Sequence, residues 1–217
     1  MGKKGPVPKI IDTTWTPELA YVVGIFASDG NLGKDGMYLE VTSNDRIVLK
    51  NVLHILHMEH IKIGTKNNGS GRRSYRIQFK RVRFHAWLLS LGLTPNKSKT
   101  ISKLKIPEKL FFDFLRGEWD GDGTIYSFKD TRWKNSFTVS LGFASGSKDF
   151  LLWIKKELTD KLKTTGHIVS SGQGTHQLRY ARNDSKKIFD AMYYKAGLPH
   201  LPRKFTKAKK IFTITGL

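Results

Sequence analysis

The feature that most constrains the fold of this chain is a repeated unit in which a mainly apolar helical pattern ends in an acid–glycine pair. One unit spans residues 17–30 and the other spans residues 107–123, and each opens with Pro-Glu and closes with Asp-Gly. Proline suits the first turn of a helix because its missing N–H has no intrahelical acceptor there, and Thr16 is a suitable N-cap for the first helix. Two such units in one chain indicate an internal duplication.

The same order of elements is predicted after each unit. Alternating apolar and polar residues predict a strand, helical spacing follows, and two further strand patterns are separated by a glycine-rich turn. The later predicted elements are strands near 60–66 and 73–80 and a helix at about 82–91, then strands near 166–170 and 175–182 and a helix at about 185–195. The predicted fold is α+β, with an αββαββα order in residues 1–95 and again in 107–217, joined by a linker at 96–106.

Glycines inside both predicted helices indicate close backbone contact. A glycine costs about 1 kcal/mol relative to alanine in a helix interior, so its presence needs a reason. Gly24 lies between Ala20 and Ser28 at a spacing of four residues, and Gly117 has the same spacing to Gly121. We predict that these small-residue stripes pack the two helices on each other about a pseudo-twofold axis.

This packing brings the carboxylates of Asp29 and Asp122 side by side at the helix C-termini. Two like charges at the negative ends of helix dipoles are unfavourable unless a cation binds there. Oxygen ligands favour Mg²⁺, with Mn²⁺ as a substitute. A single Asp-Gly pair is ordinary turn chemistry, but two pairs in matched contexts favour a joint site.

The charge of the chain points to a polyanionic partner. Lysine and arginine total 38 against 18 acids, which gives a formal net charge of +20. Nucleic acid is the leading partner, while a ribosomal or thermophilic surface or attraction to anionic lipid are the alternatives. The absence of cysteine excludes disulfides and thiolate metal sites, and the seven histidines show no zinc-type pairing. Without an apolar run of about 20 residues or a signal-peptide pattern, we expect an intracellular protein that is neither secreted nor associated with a membrane.

Residues 22–30 (VVGIFASDG) and 115–123 (LRGEWDGDG) both resemble the nonapeptide that names the LAGLIDADG homing endonucleases. The resemblance is to the monomeric branch with two motifs, and it extends over the repeat plan from about residue 17 to about residue 210. It implies antiparallel sheets that form a DNA-binding saddle around two central motif helices. The first motif departs from the pattern, because Ala27 stands where Asp120 keeps an acid in the second. Neither this change nor the bulky pair Glu118–Trp119 alters the expected ligands.

The resemblance also assigns roles in the site. It implies that Asp29 and Asp122 are metal ligands, that the carbonyl oxygens of Ser28 and Gly121 are further donors, and that Asp120 is secondary.

The family also has one basic residue near the scissile phosphate in each half. Lys99 and Lys204 are the matched candidates, since each lies seven residues after the glycine of a Gly-Leu pair, and Lys97 and Arg203 compete with them. For each lysine, a solvated surface position or a plain phosphate contact is the alternative to a catalytic role.

Ser43 and Ser145 end equivalent strands. In this family such a polar group often orders active-site water, but a serine before a helix is also a routine N-cap, which is the reading we favour.

The outward faces of the predicted strands would read the major groove of DNA. Arginine and glutamine can bind guanine and adenine in bidentate fashion, and lysines contact phosphates. The predicted contacts are Ser74, Arg76, Gln78 and Lys80 in the first half and Ser136, Thr138, Ser140, Gln177 and Arg179 in the second. Polar strand residues are also ordinary solvent-facing positions, so the prediction rests on the faces more than on single contacts.

Together with the resemblance, these observations predict a site-specific homing endonuclease that acts as a monomer and hydrolyses both strands of a long, asymmetric duplex DNA target. The resemblance implies an intron-encoded protein, with a free-standing gene as the alternative. The alternatives of the same fold are an intron maturase that binds intron RNA and a DNA-binding regulator that does not cut. Loss of a motif acid would favour either alternative, and both acids are present. A structural ribonucleoprotein component would explain the charge but not the duplicated units.

Overall fold

The computed structural model of the protein describes residues 10–67, 73–129, 137–171 and 174–217. Its fold is α+β, as predicted, and the described part contains seven α-helices and two four-stranded antiparallel sheets. The helices are α1 Pro17–Ser28, α2 Arg46–Ile55, α3 Val82–Ser90, α4 Phe111–Asp122, α5 Lys148–Leu162, α6 Arg182–Met192 and α7 Pro202–Thr215. The strands are β1 Gly30–Leu32, β2 Tyr38–Ser43, β3 Gly64–Asn67, β4 Arg73–Lys80, β5 Gly123–Lys129, β6 Phe137–Ser145, β7 His167–Ser171 and β8 Thr175–Ala181.

The two sheets have the same strand order, which is what a duplicated unit requires. One sheet runs β1-β2-β4-β3 and the other runs β5-β6-β8-β7. Their middle strands carry equivalent apolar pairs: Val41 of β2 lies opposite Ile77 of β4, and Phe143 of β6 lies opposite Leu178 of β8. All four side chains are fully buried, so one face of each sheet packs into the core.

The motif helices α1 and α4 pack on each other at the centre of the fold, as predicted. A Cβ atom on Gly24 would lie 2.1 Å from the carbonyl oxygen of Phe114, and one on Gly117 would lie 2.0 Å from that of Tyr21. Any side chain at these two positions would collide with the backbone of the opposite helix. The glycines therefore allow an approach that brings the C-terminal ends of both helices together.

Several element boundaries differ from the sequence prediction. Helix α1 begins at Pro17, and the Thr16 hydroxyl accepts a hydrogen bond from the Leu19 amide at 3.1 Å, as expected for an N-cap. Pro107 instead precedes a 3₁₀ turn at Glu108–Leu110, so α4 begins only at Phe111. Strand β3 begins later than predicted, and α6 begins earlier.

Helix α7 was not predicted. It begins at Pro202 and packs Phe205 and Phe212 against Phe189 of α6, with ring centroids 5.7 Å and 5.2 Å apart. Its buried face also includes Lys204, and the charge of that side chain conceals the amphipathic pattern in the sequence. In the described ranges, no helix combines the length and apolar composition that crossing a membrane requires.

Candidate active site

A cleft of about 280 Å³ opens where α1 and α4 end, and both motif acids, Asp29 and Asp122, line it. The two motifs touch at this point, because a Cβ atom on Gly121 would lie 2.0 Å from the Ser28 hydroxyl and 3.3 Å from a carboxylate oxygen of Asp29. A larger cleft of about 880 Å³ lies near the other end of α1, beside Glu18, but neither motif acid lines it. The smaller cleft, which the motif acids line, is therefore the candidate active site.

The acid pair is electrostatically strained. Burial, reinforced by the neighbouring Asp122 charge, raises the pKa of the Asp29 carboxyl group to about 7. Partial desolvation by the walls of the cleft also raises the pKa of Asp122, although this residue is exposed to solvent on one side. Lys204 and Lys97 oppose both shifts without cancelling them. A cation bound in the cleft would relieve the remaining repulsion.

Two buried lysines lie beside the acids. The Lys97 ammonium donates to the carbonyl oxygen of Gly30 at 2.5 Å, and burial lowers the pKa of that lysine to about 8 against the pull of Asp122 and Asp29. The Lys204 ammonium donates to the carbonyl oxygens of Trp119 at 2.7 Å and Gly121 at 3.0 Å. Burial lowers the pKa of Lys204 as well.

Lys97, and not Lys99, is the lysine of the first half that reaches the site. Lys99 is exposed to solvent, whereas the Lys97 residue is 5% exposed. The count from the Gly-Leu pair fails because the halves differ in conformation after it. In the first half, Asn96 adopts a left-handed conformation with φ of 58° and begins a single 3₁₀ turn, whereas in the second half the equivalent segment enters α7.

The other acids of α4 are buried and face inward. One oxygen of the Asp120 carboxylate accepts hydrogen bonds from the Tyr21 hydroxyl at 2.9 Å and the Leu201 amide at 2.7 Å. Burial, only partly offset by the Tyr21 hydrogen bond, raises the pKa of Asp120 to about 7. Burial also raises the pKa of Glu118 well above its usual range. Asp120 thus connects α4 to the residue that precedes α7.

The donor set of the cleft fits a hard divalent cation. Asp29 and Asp122 offer carboxylate oxygens, and backbone carbonyls such as that of Gly121 lie at the same helix ends. No metal-binding group of three or more His, Cys, Asp or Glu side chains occurs among the described residues. The two carboxylates would therefore share a metal ion with carbonyl, water or phosphate oxygens, as Mg²⁺ and Mn²⁺ accept.

The predicted DNA contacts are only partly accessible. Gln78 and Lys80 are exposed, and the half-buried members of the set are Arg76, Thr138, Gln177 and Arg179. Ser136 lies outside the described residues. The expectation that Ser74 and Ser140 are exposed is wrong, since they are only 2% and 8% exposed.

Neighbouring chain segments cover both serines. The Ser74 hydroxyl donates to the carbonyl oxygen of Lys66 on β3, and the short Ser140 side chain lies on β6 between the paired residues Tyr126 and Ala181.

An acid that the sequence analysis missed lies on the face that carries Gln78. Glu40 of β2 accepts hydrogen bonds from Gln78 at 2.5 Å and from Lys66 at 3.3 Å, and Arg76 approaches it to 4.0 Å. The alternation of β2, in which Glu40 stands between buried Leu39 and Val41, was the signal that could have found it. This face therefore presents a hydrogen-bonded network of mixed charge.

Comparison with known proteins adds the fold family. No protein-family model matches the chain. An uncharacterised protein of Methanocaldococcus jannaschii is 30% identical over 125 residues, which cover 56% of this chain and 44% of that protein. The match thus spans less than half the length of that relative.

Solved structures match over most of the chain. Full-length WhiA from Thermotoga maritima has a TM-score of 0.57 at 15% identity, over 93% of this chain and 62% of WhiA. The homing endonuclease I-WcaI bound to its DNA recognition sequence has a TM-score of 0.61 at 13% identity, over 89% of this chain and 88% of its own. I-DmoI in complex with DNA and Mn has a TM-score of 0.52 at 12% identity, over 82% and 97%. At these identities the similarity establishes the fold, and this chain has the LAGLIDADG fold with two motif helices in one polypeptide.

Proposed function

We propose that the protein is a site-specific, metal-dependent endonuclease that cuts both strands of a long, asymmetric duplex DNA target. The observation that carries this proposal is the cleft at the ends of α1 and α4, where each half contributes one motif acid. Asp29 is half-buried and Asp122 is exposed at the mouth of the cleft, and the pKa of each carboxyl group is raised there, a cost that a bound cation would remove. A protein that only binds DNA does not need such a pair, so the pair favours catalysis.

The residues of the cleft would have different roles in phosphodiester hydrolysis. Asp29 and Asp122 would hold Mg²⁺, with Mn²⁺ as a substitute, assisted by the carbonyl oxygens of Ser28 and Gly121. A metal ion held by these residues would supply an activated water and would neutralise the charge that develops on the phosphate. Lys97 and Lys204 place fixed positive charge beside the same cleft and stabilise the transition state electrostatically.

The open faces of the sheets are the proposed DNA-binding surface. Gln78 and Lys80 are exposed on β4, and the half-buried Gln177 and Arg179 stand on β8. The formal charge of +20 supplies attraction to phosphates. Because the halves differ in sequence, the target would be long and only weakly palindromic, and one chain would act as a monomer inside the cell. I-WcaI and I-DmoI, which share the fold, are both bound to DNA in their structures.

A DNA-binding regulator that does not cut is the second candidate. The fold of this chain also matches WhiA, which is not named as an endonuclease. The fold alone therefore does not decide between cutting and binding.

Selection of cleaved sites from a random duplex library in the presence of Mg²⁺ tests the proposal. Wild-type protein should recover one long site that is cut on both strands. Asp29→Asn and Asp122→Asn should cut about 1,000-fold more slowly or worse while binding at least as tightly, because they remove repulsion between carboxylate and phosphate. Asp160→Asn, which changes an exposed acid paired with Lys156, is the matched control and should keep full activity.

Each other outcome points to a different protein. Binding without cutting by the wild type would favour the regulator, and tighter competition by intron RNA would favour a maturase. Cleavage at the wild-type rate by either asparagine variant would reject the acid pair as the catalytic centre.

A further inference from the structure

The two halves carry equivalent loops at the start of α2 and α5. The Ser43 hydroxyl accepts a hydrogen bond from the Asp45 amide at 3.2 Å, and the Ser145 hydroxyl accepts one from the Ser147 amide at 3.1 Å. Asp45 and Ser147 are the N-cap residues of α2 and α5. Ser43 and Ser145 are thus not N-caps themselves, and each loop presents an N-cap side chain at the same place in its half.

In the second half, the segment that carries Lys204 is held by the first half. The Arg203 guanidinium contacts both carboxylate oxygens of Asp45, through Nε at 2.7 Å and through Nη2 at 2.5 Å. Further along α2, the Asn51 side-chain amide donates to the carbonyl oxygen of His200 at 3.1 Å. The residue next to Lys204 and the segment before it are therefore fixed from the opposite half.

Helix α4 also contacts the segment that precedes Lys204. The Leu201 amide donates to Asp120 at 2.7 Å, and the buried Arg116 guanidinium donates to the carbonyl oxygen of Pro199 at 2.9 Å. These contacts belong to the second half, so they fix the segment within its own half. Asp45 and Asn51 of α2 add the contacts from the other half.

The segment that carries Lys97, which directly follows the first half and begins the linker, is held by the second half. The Ser147 hydroxyl donates to the carbonyl oxygen of Ile101 at 2.5 Å. Gly146 lies so close to the same segment that a Cβ atom on it would be 2.5 Å from the carbonyl oxygen of Ser98. The loops at the start of α2 and α5 therefore both reach across the molecule.

We propose that the two lysines of the cleft are positioned crosswise, with Asp45 of the first half positioning Lys204 and Ser147 of the second half positioning Lys97. The catalytic consequence rests on the proposed endonuclease function. A lysine side chain has several soft torsions, so its ammonium group keeps its place only if its backbone is fixed. Asp45 and Ser147 are positioning residues, which act through Arg203 and Ile101.

Chemical labelling of the free protein tests the crosswise arrangement without any DNA. Reductive methylation with formaldehyde and cyanoborohydride, read for each lysine by mass spectrometry, reports how well each ammonium group is held and covered. Asp45→Ala should raise the rate at Lys204 about fivefold, the effect of losing one charged contact, and leave Lys97 within about twofold. Ser147→Ala should do the reverse.

Conservative variants separate positioning from general loosening. The exchanged pair Asp45→Arg with Arg203→Asp keeps the ion pair and should restore protection of Lys204. Ser147→Thr keeps the hydroxyl group and should leave Lys97 protected. Asp160→Ala, which breaks an exposed ion pair on α5, should change neither lysine.

A double-mutant cycle tests the catalytic consequence on the selected DNA target. Asp45→Ala should slow single-turnover cutting about fivefold when Lys97 is replaced by methionine and have no further effect when Lys204 is replaced. A purely structural role would slow both backgrounds equally and would overturn the positioning role. If Asp45→Ala and Ser147→Ala each raised the labelling rates of Lys97 and Lys204 equally in a protein that cuts DNA, only the crosswise positioning would be wrong. If each variant raised the labelling rate only at its own lysine but the protein cut no DNA, the endonuclease function would be rejected and the crosswise positioning would stand.

Discussion

Asp29 destabilises the metal-free protein in a way that depends on pH. Its carboxyl group has a folded-state pKa of about 7, raised from 3.8 by burial and by Asp122. Between about pH 4 and pH 7, the folded protein keeps a proton that the unfolded chain has released. Stability therefore falls as pH rises through this window, and the full penalty remains above it. The shift corresponds to roughly 4 kcal/mol.

We predict that Asp29→Asn stabilises the protein at about pH 8 by roughly 2 kcal/mol or more and has only a small effect at about pH 4. Denaturant unfolding in the presence of a chelator would measure both values. Added Mg²⁺ should then raise the wild-type midpoint at about pH 8 more than the variant midpoint. An equal change at the two pH values would contradict the assigned charge repulsion.

The two lysines of the 3₁₀ turn should differ sharply in their effect on cutting. Lys97→Met removes a buried cation beside the acids and should slow cleavage about 100-fold, as loss of one electrostatic group does. Lys99→Met changes an exposed side chain and should stay within about threefold. Single-turnover rates at saturating protein provide the comparison. A larger loss of cutting rate in the Lys99 variant would mean that Lys99, the residue selected by its spacing from the Gly-Leu pair, is the catalytic lysine.

Residue positions were predictable where the repeat specified them and not where the backbone turned. Asp29 and Asp122 follow from the two matched motifs, and the structure brings them to one cleft. Lys97 depends on the left-handed conformation of Asn96, which no periodic pattern encodes. The buried Ser74 likewise follows from the neighbouring strand β3 and not from the alternation of its own strand.

At the scale of elements, the contact between α1 and α4 should be intolerant of any added atom. Gly24→Ala would place a methyl group 2.1 Å from the carbonyl oxygen of Phe114, so the helices must separate. We predict a loss of about 3 kcal/mol or more in the free energy of unfolding, together with loss of cleavage. Chemical denaturation and the cleavage assay would measure these changes.

Gly64→Ala is the matched control for that substitution. The nearest atoms to a Cβ there are 3.9 Å away, so its effect should stay under about 1 kcal/mol in either direction. Equal stability of the two variants would mean that α1 and α4 are further apart than the structure has them.

Most elements were predictable because their apolar residues recur with the period of a helix or a strand. Helix α7 was not, because Lys204 and Thr215 occupy two of its buried positions. In the sequence, a lysine on a buried face looks like a solvated residue. The acids around the cleft and the carbonyl oxygens of Trp119 and Gly121 compensate its burial. The amphipathic pattern of α7 therefore breaks at Lys204, a residue of the candidate site, and such sites are where local sequence preferences are expected to be violated.

At the scale of the whole molecule, the two halves share an order of elements but differ in the residues that support the site. The second half carries α7 and the contact between Asp120 and Leu201, whereas Ala27 takes the equivalent motif position in the first. A symmetric dimer would carry the same residues in both halves. The two halves therefore support their lysines differently, and the repeat, which predicted the order of the elements and the two motif acids, did not predict that difference.

The net charge of +20 should act on DNA mainly through the sheet faces. Each cation that neutralises a phosphate contributes about one unit to the slope of log affinity against log salt concentration. The double variant Lys80→Gln with Arg179→Gln changes two cations on the strands and should reduce that slope by about two. The charge-matched variant Lys156→Gln with Lys163→Gln changes two exposed cations at α5 and should leave it unchanged. Fluorescence anisotropy on the selected target over a salt series measures all three slopes. An equal reduction in both variants would mean that the charge attracts DNA without regard to the sheets, and the proposed binding surface would be wrong.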